Sequence, residues 1–179
     1  MPSFRSLIML ALAALLSGCF VSAKPLFTPE EADMPLADDA HLTSYTLDKK
    51  GNRTAEAPLH IAVKREAHSY VFTPTDDEPL HATFDDIGQG YFVGRAVEDD
   101  PGKPPLYGLF HKIGESWFAY SPMCSDFETL AERHGKTLAD FHIKRDQSDC
   151  QFVSYDDLKN ALMFLAAYST PETEYVVEK

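Results

Sequence analysis

The sequence predicts an α+β fold: an antiparallel, strongly twisted β-meander of about seven strands, with two helices near the C-terminus. Three observations carry that reading. From about His41 the chain is a series of short β-prone runs separated by turn residues. Past Pro122 the apolar period changes from strand-like to helical. The connections between the β-prone runs are too short for parallel crossovers, which need a dozen or more residues, so neighbouring strands run antiparallel.

The first run is Thr43-Ser44-Tyr45-Thr46-Leu47, ended by the turn residues Asp48-Lys49-Lys50-Gly51-Asn52. Then come Leu59-His60-Ile61-Ala62-Val63, Ser69-Tyr70-Val71-Phe72, Leu80 to Phe84, Tyr91 to Val97, Leu106 to His111, and Trp117 to Tyr120. Between them stand Asp76-Asp77-Glu78-Pro79, Gly88-Gln89-Gly90, the Pro-rich residues 99–105, and Ile113-Gly114-Glu115. Ile61, Val63, Val71 and Phe84 mark one buried face. Trp117-Phe118-Ala119-Tyr120 is apolar on both faces, which predicts a central strand covered on both sides. A faint repeat sets Tyr45, Leu59, Ser69 and Pro74 against Tyr91, Leu106, Ser116 and Pro122, each unit three strands long, with too few identities to require a duplication.

The first helix follows a capping box, Ser125-Asp126-Phe127-Glu128, presents Phe127, Leu130 and Ala131 on one face, and stops at Gly135. The second starts at Ser154, with Asp156 and Asp157 at its positive end and Val153 and Leu158 placed for a hydrophobic staple. Leu158, Ala161, Leu162, Leu165 and Ala166 form an apolar stripe that needs a partner surface, and the aromatic-rich sheet is the one available. Pro171 bars continuation, and Tyr175-Val176-Val177 reads as an edge strand or a frayed tail. Phe141-His142-Ile143 alternates weakly, as a short strand would.

The N-terminus has a different character. Arg5 precedes an unbroken apolar run, Leu7 to Leu16, too short to span a bilayer, which needs about 20 apolar residues. Small residues and a cysteine follow, as Leu16-Ser17-Gly18-Cys19. The segment resembles bacterial lipoprotein precursors and their lipobox, over residues 1–19 only. That resemblance implies a signal peptide over residues 1–18 and a mature chain beginning at Cys19. It also implies a diacylglyceryl group on the Cys19 sulfur and a further acyl chain, such as palmitate, on the new amine. Several chains hold far better than a single one, which binds a membrane only marginally. In Gram-negative members an Asp after the Cys retains the protein in the inner membrane; Phe20 stands there, so the expectation is the outer membrane, facing the periplasm.

Residues 19–40 are expected as a lipidated tether, broken by Pro25, Pro29 and Pro35 and solvated by five carboxylates, and residues 41–179 as a single globular domain. The formal charge is −12, and loss of Arg5 with the signal makes it one unit more negative. Such a balance repels phosphate backbones and anionic lipid heads, so nucleic acid is excluded as a partner and membrane attachment rests on the acyl chains.

With Cys19 acylated, Cys124 and Cys150 remain as an even pair in an exported protein, which predicts a disulfide between the two helix starts. The competing reading is a reactive thiol with His134 or His142 as base. His41, His60, His68, His81 and His111 lack the spacing of a zinc protease, the acidic clusters lack the calcium-loop pattern, and Ser116 lacks a nucleophile-elbow context. No cofactor, metal or catalytic residue is assigned. The ten aromatic residues from Tyr70 to Tyr120 are expected to fill a core under the helices, the alternative being a barrel-like sheet around an apolar ligand. The function expected is that of a non-catalytic, membrane-anchored envelope lipoprotein presenting a small domain for binding or assembly. An envelope enzyme and a carrier of an apolar ligand are the alternatives.

Overall fold

Inward and outward side chains alternate along seven consecutive antiparallel strands, and the C-terminus supplies an eighth that closes them into a β-barrel in the computed structural model. The structure describes residues 20–75, 77–97, 103–121 and 123–178. The expected signal peptide 1–18, the lipobox-like residues and the expected lipidation site Cys19 lie outside the described residues.

A short first strand, β1 (Phe20–Ser22), stands outside the barrel. The barrel itself comprises β2 (Ala40–Thr46), β3 (Leu59–Glu66), β4 (Ser69–Pro74), β5 (Leu80–Gly88), β6 (Tyr91–Val97), β7 (Leu106–Ile113), β8 (Ser116–Tyr120) and, far along the chain, β11 (Thr173–Val177). All seven β-prone runs of the sequence form strands. The meander of about seven strands, with a barrel-like sheet as its alternative, is corrected to an eight-strand closed barrel, because β11 pairs with both β2 and β8: Tyr175 stands opposite Ser44 on one side and Trp117 on the other. Tyr175-Val176-Val177 is therefore neither an edge nor a tail. Closure leaves no exposed edge between β2 and β8, which removes the hazard of unpaired backbone groups.

The register sets the two faces. Leu42, Ile61, Val63, Tyr70, Phe84, Phe92 and Trp117 point into the barrel. Val93, Tyr107, Leu109 and Tyr120 point outward, beneath the helices. Trp117–Tyr120 is covered on both sides, as its composition requires. Val71 is the exception among the residues assigned to the inner face. It pairs with Lys64, whereas Phe72 pairs with the inward Val63, so a one-residue parity places Val71 outside. At the β5–β6 turn the register shifts between Asp86 and Gly88, and Gly88, Gln89 and Gly90 all take positive φ.

Helix α1 (Cys124–Arg133) starts two residues earlier than its apparent capping box implies, with Met123 rather than Ser125 at the N-cap position and no side-chain cap. Ser125 lies inside the first turn, where its carbonyl accepts from the Thr129 hydroxyl, and Glu128 pairs with Arg145 instead of reaching back. Gly135, at φ 68°, closes the C-terminus: its N–H donates to Glu132 O while Lys136 N–H donates to Ala131 O. A 3-10 turn (Leu138–Phe141) replaces the short strand expected at Phe141-His142-Ile143, because Thr137 and Asp140 cap each other there. The hairpin β9 (Lys144–Asp146) and β10 (Asp149–Phe152) leads to α2 (Tyr155–Tyr168). Ser154 caps α2 by accepting from Asp157 N–H at 3.1 Å. Val153 is 77% exposed, so no staple forms. The apolar stripe of α2 behaves as its period demands: Leu158, Ala161, Leu162 and Leu165 are buried against the outer face of the barrel.

Residues 20–36 do not form a solvated tether. Phe20 and Val21 are buried; Phe20 pairs with Cys150 of β10 in parallel, and Val21 with Leu106 at the start of β7. The chain then crosses the outside of the barrel through a 3-10 turn (Pro29–Glu31), with Phe27 buried on the way. Asp33 N–H donates to Phe84 O at 2.7 Å, and Tyr70 Oη both accepts from Leu36 N–H and donates to Leu36 O. Three apolar anchors, Phe20, Phe27 and Leu36, outweigh the prolines and carboxylates between them. Burial of one such side chain is worth about 2 kcal/mol.

Candidate functional site: the barrel cavity

Around the barrel wall, missing side chains alternate with large rings. Gly94 and Gly108 are register partners on β6 and β7. A Cβ at Gly94 would lie 2.4 Å from the Phe110 ring, so only glycine lets that ring lie across the strand pair. At Gly108 the same test finds ordinary contact, 3.5 Å to Tyr120 O. Phe110 meets Phe84 edge-on at 5.3 Å, and Trp117 packs on Phe92 at 5.0 Å.

These rings do not fill the interior. A cavity of about 120 Å³ remains, lined by Leu42, Ile61, Phe72, Phe84, Trp117 and Tyr175 among others. One end is covered by Leu36, held there through Tyr70. The cavity reaches toward the other end, where Leu59 and Leu80 begin their strands and Leu106 begins β7. The filled core expected from the sequence is thus corrected to a core with a void. An apolar cavity of about 150 Å³ stays dry and takes benzene, whereas drug-sized ligands need roughly 300 Å³ or more. This interior fits one small apolar group.

Few polar atoms face the void. Trp117 Nε1 is buried and has no hydrogen-bond partner among the described residues. Burial pushes the Tyr175 phenol up to about 12, so it stays protonated. At the open end the Glu172 carboxylate accepts from Ser121 N–H at 2.6 Å, and burial raises its pKa. Ser44, Ser121 and Arg95 also border the cavity, and the remaining walls are aliphatic and aromatic.

The residues singled out in the sequence lie elsewhere. Cys124 and Cys150 are joined, with Cα atoms 5.3 Å apart, so neither sulfur is a thiol here. The bond ties the first turn of α1 to β10. The histidines do not converge. His111 stacks on Tyr91 at 4.0 Å, His134 packs on Tyr168 at 3.9 Å, His142 bonds Asp157 at 2.8 Å and His60 bonds Glu178 at 3.2 Å. Among the described residues no three His, Cys, Asp or Glu side chains are grouped to hold a metal ion. Ser116 donates to Glu174, which also pairs with Arg53. Asp86 caps its own turn at Gly88, and Asp85 accepts from Tyr155.

Sequence reading missed a buried polar set between the N-terminal arm and the barrel. Tyr107 Oη accepts from Leu26 N–H at 2.9 Å and bonds Ser22 Oγ at 3.1 Å, and Arg95 Nη1 donates to Phe27 O at 2.6 Å. One signal pointed there: Arg95 is the lone charge in the apolar run Phe92-Val93-Gly94-Arg95-Ala96-Val97. No helix among the described residues is long and apolar enough to cross a membrane. Comparison with family models, with curated proteins and with solved structures finds no match to this chain.

Proposed function

We propose that this protein is an envelope lipoprotein, anchored through acyl chains on Cys19, whose barrel binds a small apolar group. The observation that carries the binding half is the void of about 120 Å³ inside an otherwise well-packed barrel, walled by Phe72, Phe84 and Trp117. Empty apolar volume forfeits dispersion contacts and costs stability, and an apolar ligand recovers them. A hydrocarbon ring, or the end of an alkyl chain entering between Leu59, Leu80 and Leu106, suits both the size and the chemistry of the walls. The anchoring half rests on the lipobox residues Leu16-Ser17-Gly18-Cys19. Because β1 begins at Phe20, an acylated Cys19 has no slack chain between lipid and fold, which holds the domain against the bilayer surface.

Trp117 is the single tryptophan and lines the void, so its fluorescence reports occupancy. Titration with benzene and with decanol should change its emission saturably and raise the melting temperature. No change in either at ligand saturation of the buffer defeats the binding proposal. Intact-mass analysis of membrane-extracted protein tests the anchor. The expected chain starts at Cys19 and carries added acyl mass, and a different N-terminus or unmodified mass rejects it.

A further inference from the structure

A second pocket lies on the outside of the barrel, with a volume of about 300 Å³. Its walls come from three places: β5 and β6 (His81, Thr83, Arg95), the β3–β4 turn (Glu66, His68), and the N-terminal arm at Pro29 and Glu30. Sequence separation hides it completely, since these segments meet only when the arm folds across the strands.

Two of its wall residues carry orphaned polar atoms. Arg95 is 5% exposed and Thr83 is 3% exposed, and the two are register partners on adjacent strands. Neither Arg95 Nε nor Thr83 Oγ1 has a hydrogen-bond partner among the described residues. Among the described residues the guanidinium makes one hydrogen bond, from Nη1 to Phe27 O, and no ion pair with a carboxylate. Glu30 acts on Arg95 through space without bonding it, and burial pulls the guanidinium pKa down. A buried cation without a counter-ion is among the costliest arrangements in a protein, and unsatisfied buried donors are rare enough to demand a cause.

We propose that this pocket binds a small organic carboxylate, with its two oxygens on the Arg95 guanidinium and the Thr83 hydroxyl. Guanidinium N–H groups match the two oxygens of a carboxylate in a planar fork, and Thr83 Oγ1 supplies a third donor beside them. The pocket volume accommodates a chain of a few carbons behind the carboxylate. Charge selects a monoanion. Arg95 supplies one positive charge against the two negative ones of Glu30 and Glu66 in the wall, so a monoanion matches the site better than a dianion such as phosphate. Ala82 and Arg95 border both this site and the barrel void, but the site lies on the outer side of their strands, and its occupancy does not depend on the function proposed above.

The test uses the folded domain and the Arg95 Nε–H resonance in NMR titrations with propionate, N-acetylalanine and inorganic phosphate at about pH 8, at constant ionic strength. Both carboxylates should shift that resonance saturably in the millimolar range, with phosphate weaker by about tenfold. Thr83→Val, which keeps the side-chain shape, should weaken the carboxylates severalfold. Arg95→Gln should abolish saturation. Should Arg95→Gln fail to fold, the pair Glu30→Gln with Glu66→Gln still decides, since it should narrow the gap between carboxylate and phosphate. Absence of a saturable shift up to about 50 mM carboxylate overturns the proposal, as does tighter binding of phosphate or unchanged affinity in Thr83→Val.

Discussion

The molecule has two hydrophobic cores built on opposite faces of the same strands, and they are packed to different standards. The outer core lies between the barrel and the helices. Phe20, Phe127, Phe152, Leu158, Leu162 and Leu165 are all essentially inaccessible there, and the Cys124–Cys150 bond runs through it. The inner core is ringed by Phe72, Phe84, Phe110 and Trp117, yet it keeps a void of about 120 Å³. The difference follows from geometry. Helices dock on a sheet as movable bodies and slide until their side chains interlock. A closed barrel has a radius set by strand number and stagger, so its interior is filled only if the residue sizes happen to match. Gly94 and Gly108 make that interior roomier than larger residues would. Filled space supplies stability in this protein, and unfilled space is available for binding.

Four sets of variants test the contrast between the two cores. The largest effect is expected for Phe127→Ala. Its ring touches Phe20 at 5.2 Å and Phe141 at 5.1 Å in the tight core, so the loss should be about 4 kcal/mol, or roughly 10 °C in melting temperature. Phe110→Ala should cost clearly less, because Phe110 already borders the void; equal costs by denaturant titration mean the two cores are packed alike. Next comes the disulfide. Cys124→Ser with Cys150→Ser opens a loop of 26 residues and should cost about 3.5 kcal/mol on the chain-entropy model, leaving the Trp117 response to benzene intact. A lost response would show that the staple on the outer core also shapes the inner one.

Smaller effects come from the two glycines. Gly94→Ala drives a methyl into the Phe110 ring and should destabilise by about 1–3 kcal/mol, whereas Gly108→Ala meets only ordinary contacts and should stay within about 1 kcal/mol of the parent. The Gly108 variant should also weaken ligand binding, since it takes up part of the void. Identical melting shifts for the two would remove the distinction between a crowded wall and an open one. The smallest effect concerns Glu172, whose pKa burial raises. The folded state holds this proton at pH values where the unfolded chain has already lost it. Stability from this group is therefore full below the ordinary glutamate range and falls as pH rises through the folded pKa. Glu172→Gln keeps an acceptor for Ser121 N–H and should flatten that part of the stability–pH profile. An unchanged slope locates the charge in water instead.

Local chemistry wrote much of the fold into the sequence. Short apolar alternations between turn residues specify β2 to β8 because strand formation needs only period and breakers, both readable within a few residues. Ser154 and the Leu158–Leu165 stripe specify α2, and Gly135 ends α1, through contacts no more than a few turns apart. The even pair Cys124 and Cys150 pointed to its own bond. Tertiary structure alone decided the rest. Tyr175-Val176-Val177 is a weak strand by composition, and only pairing with β2 and β8, more than a hundred residues from the former, makes it the closing strand. The Pro-rich stretch from Phe20 to Leu36 looks solvated residue by residue, but a barrel surface that accepts Phe20, Phe27 and Leu36 fixes it in place. The two candidate sites belong to this second kind. A void is the difference between a barrel's radius and the summed volume of its side chains, and an orphaned guanidinium is a missing neighbour. Neither quantity is a property of any stretch of sequence, so neither exists until the chain has closed.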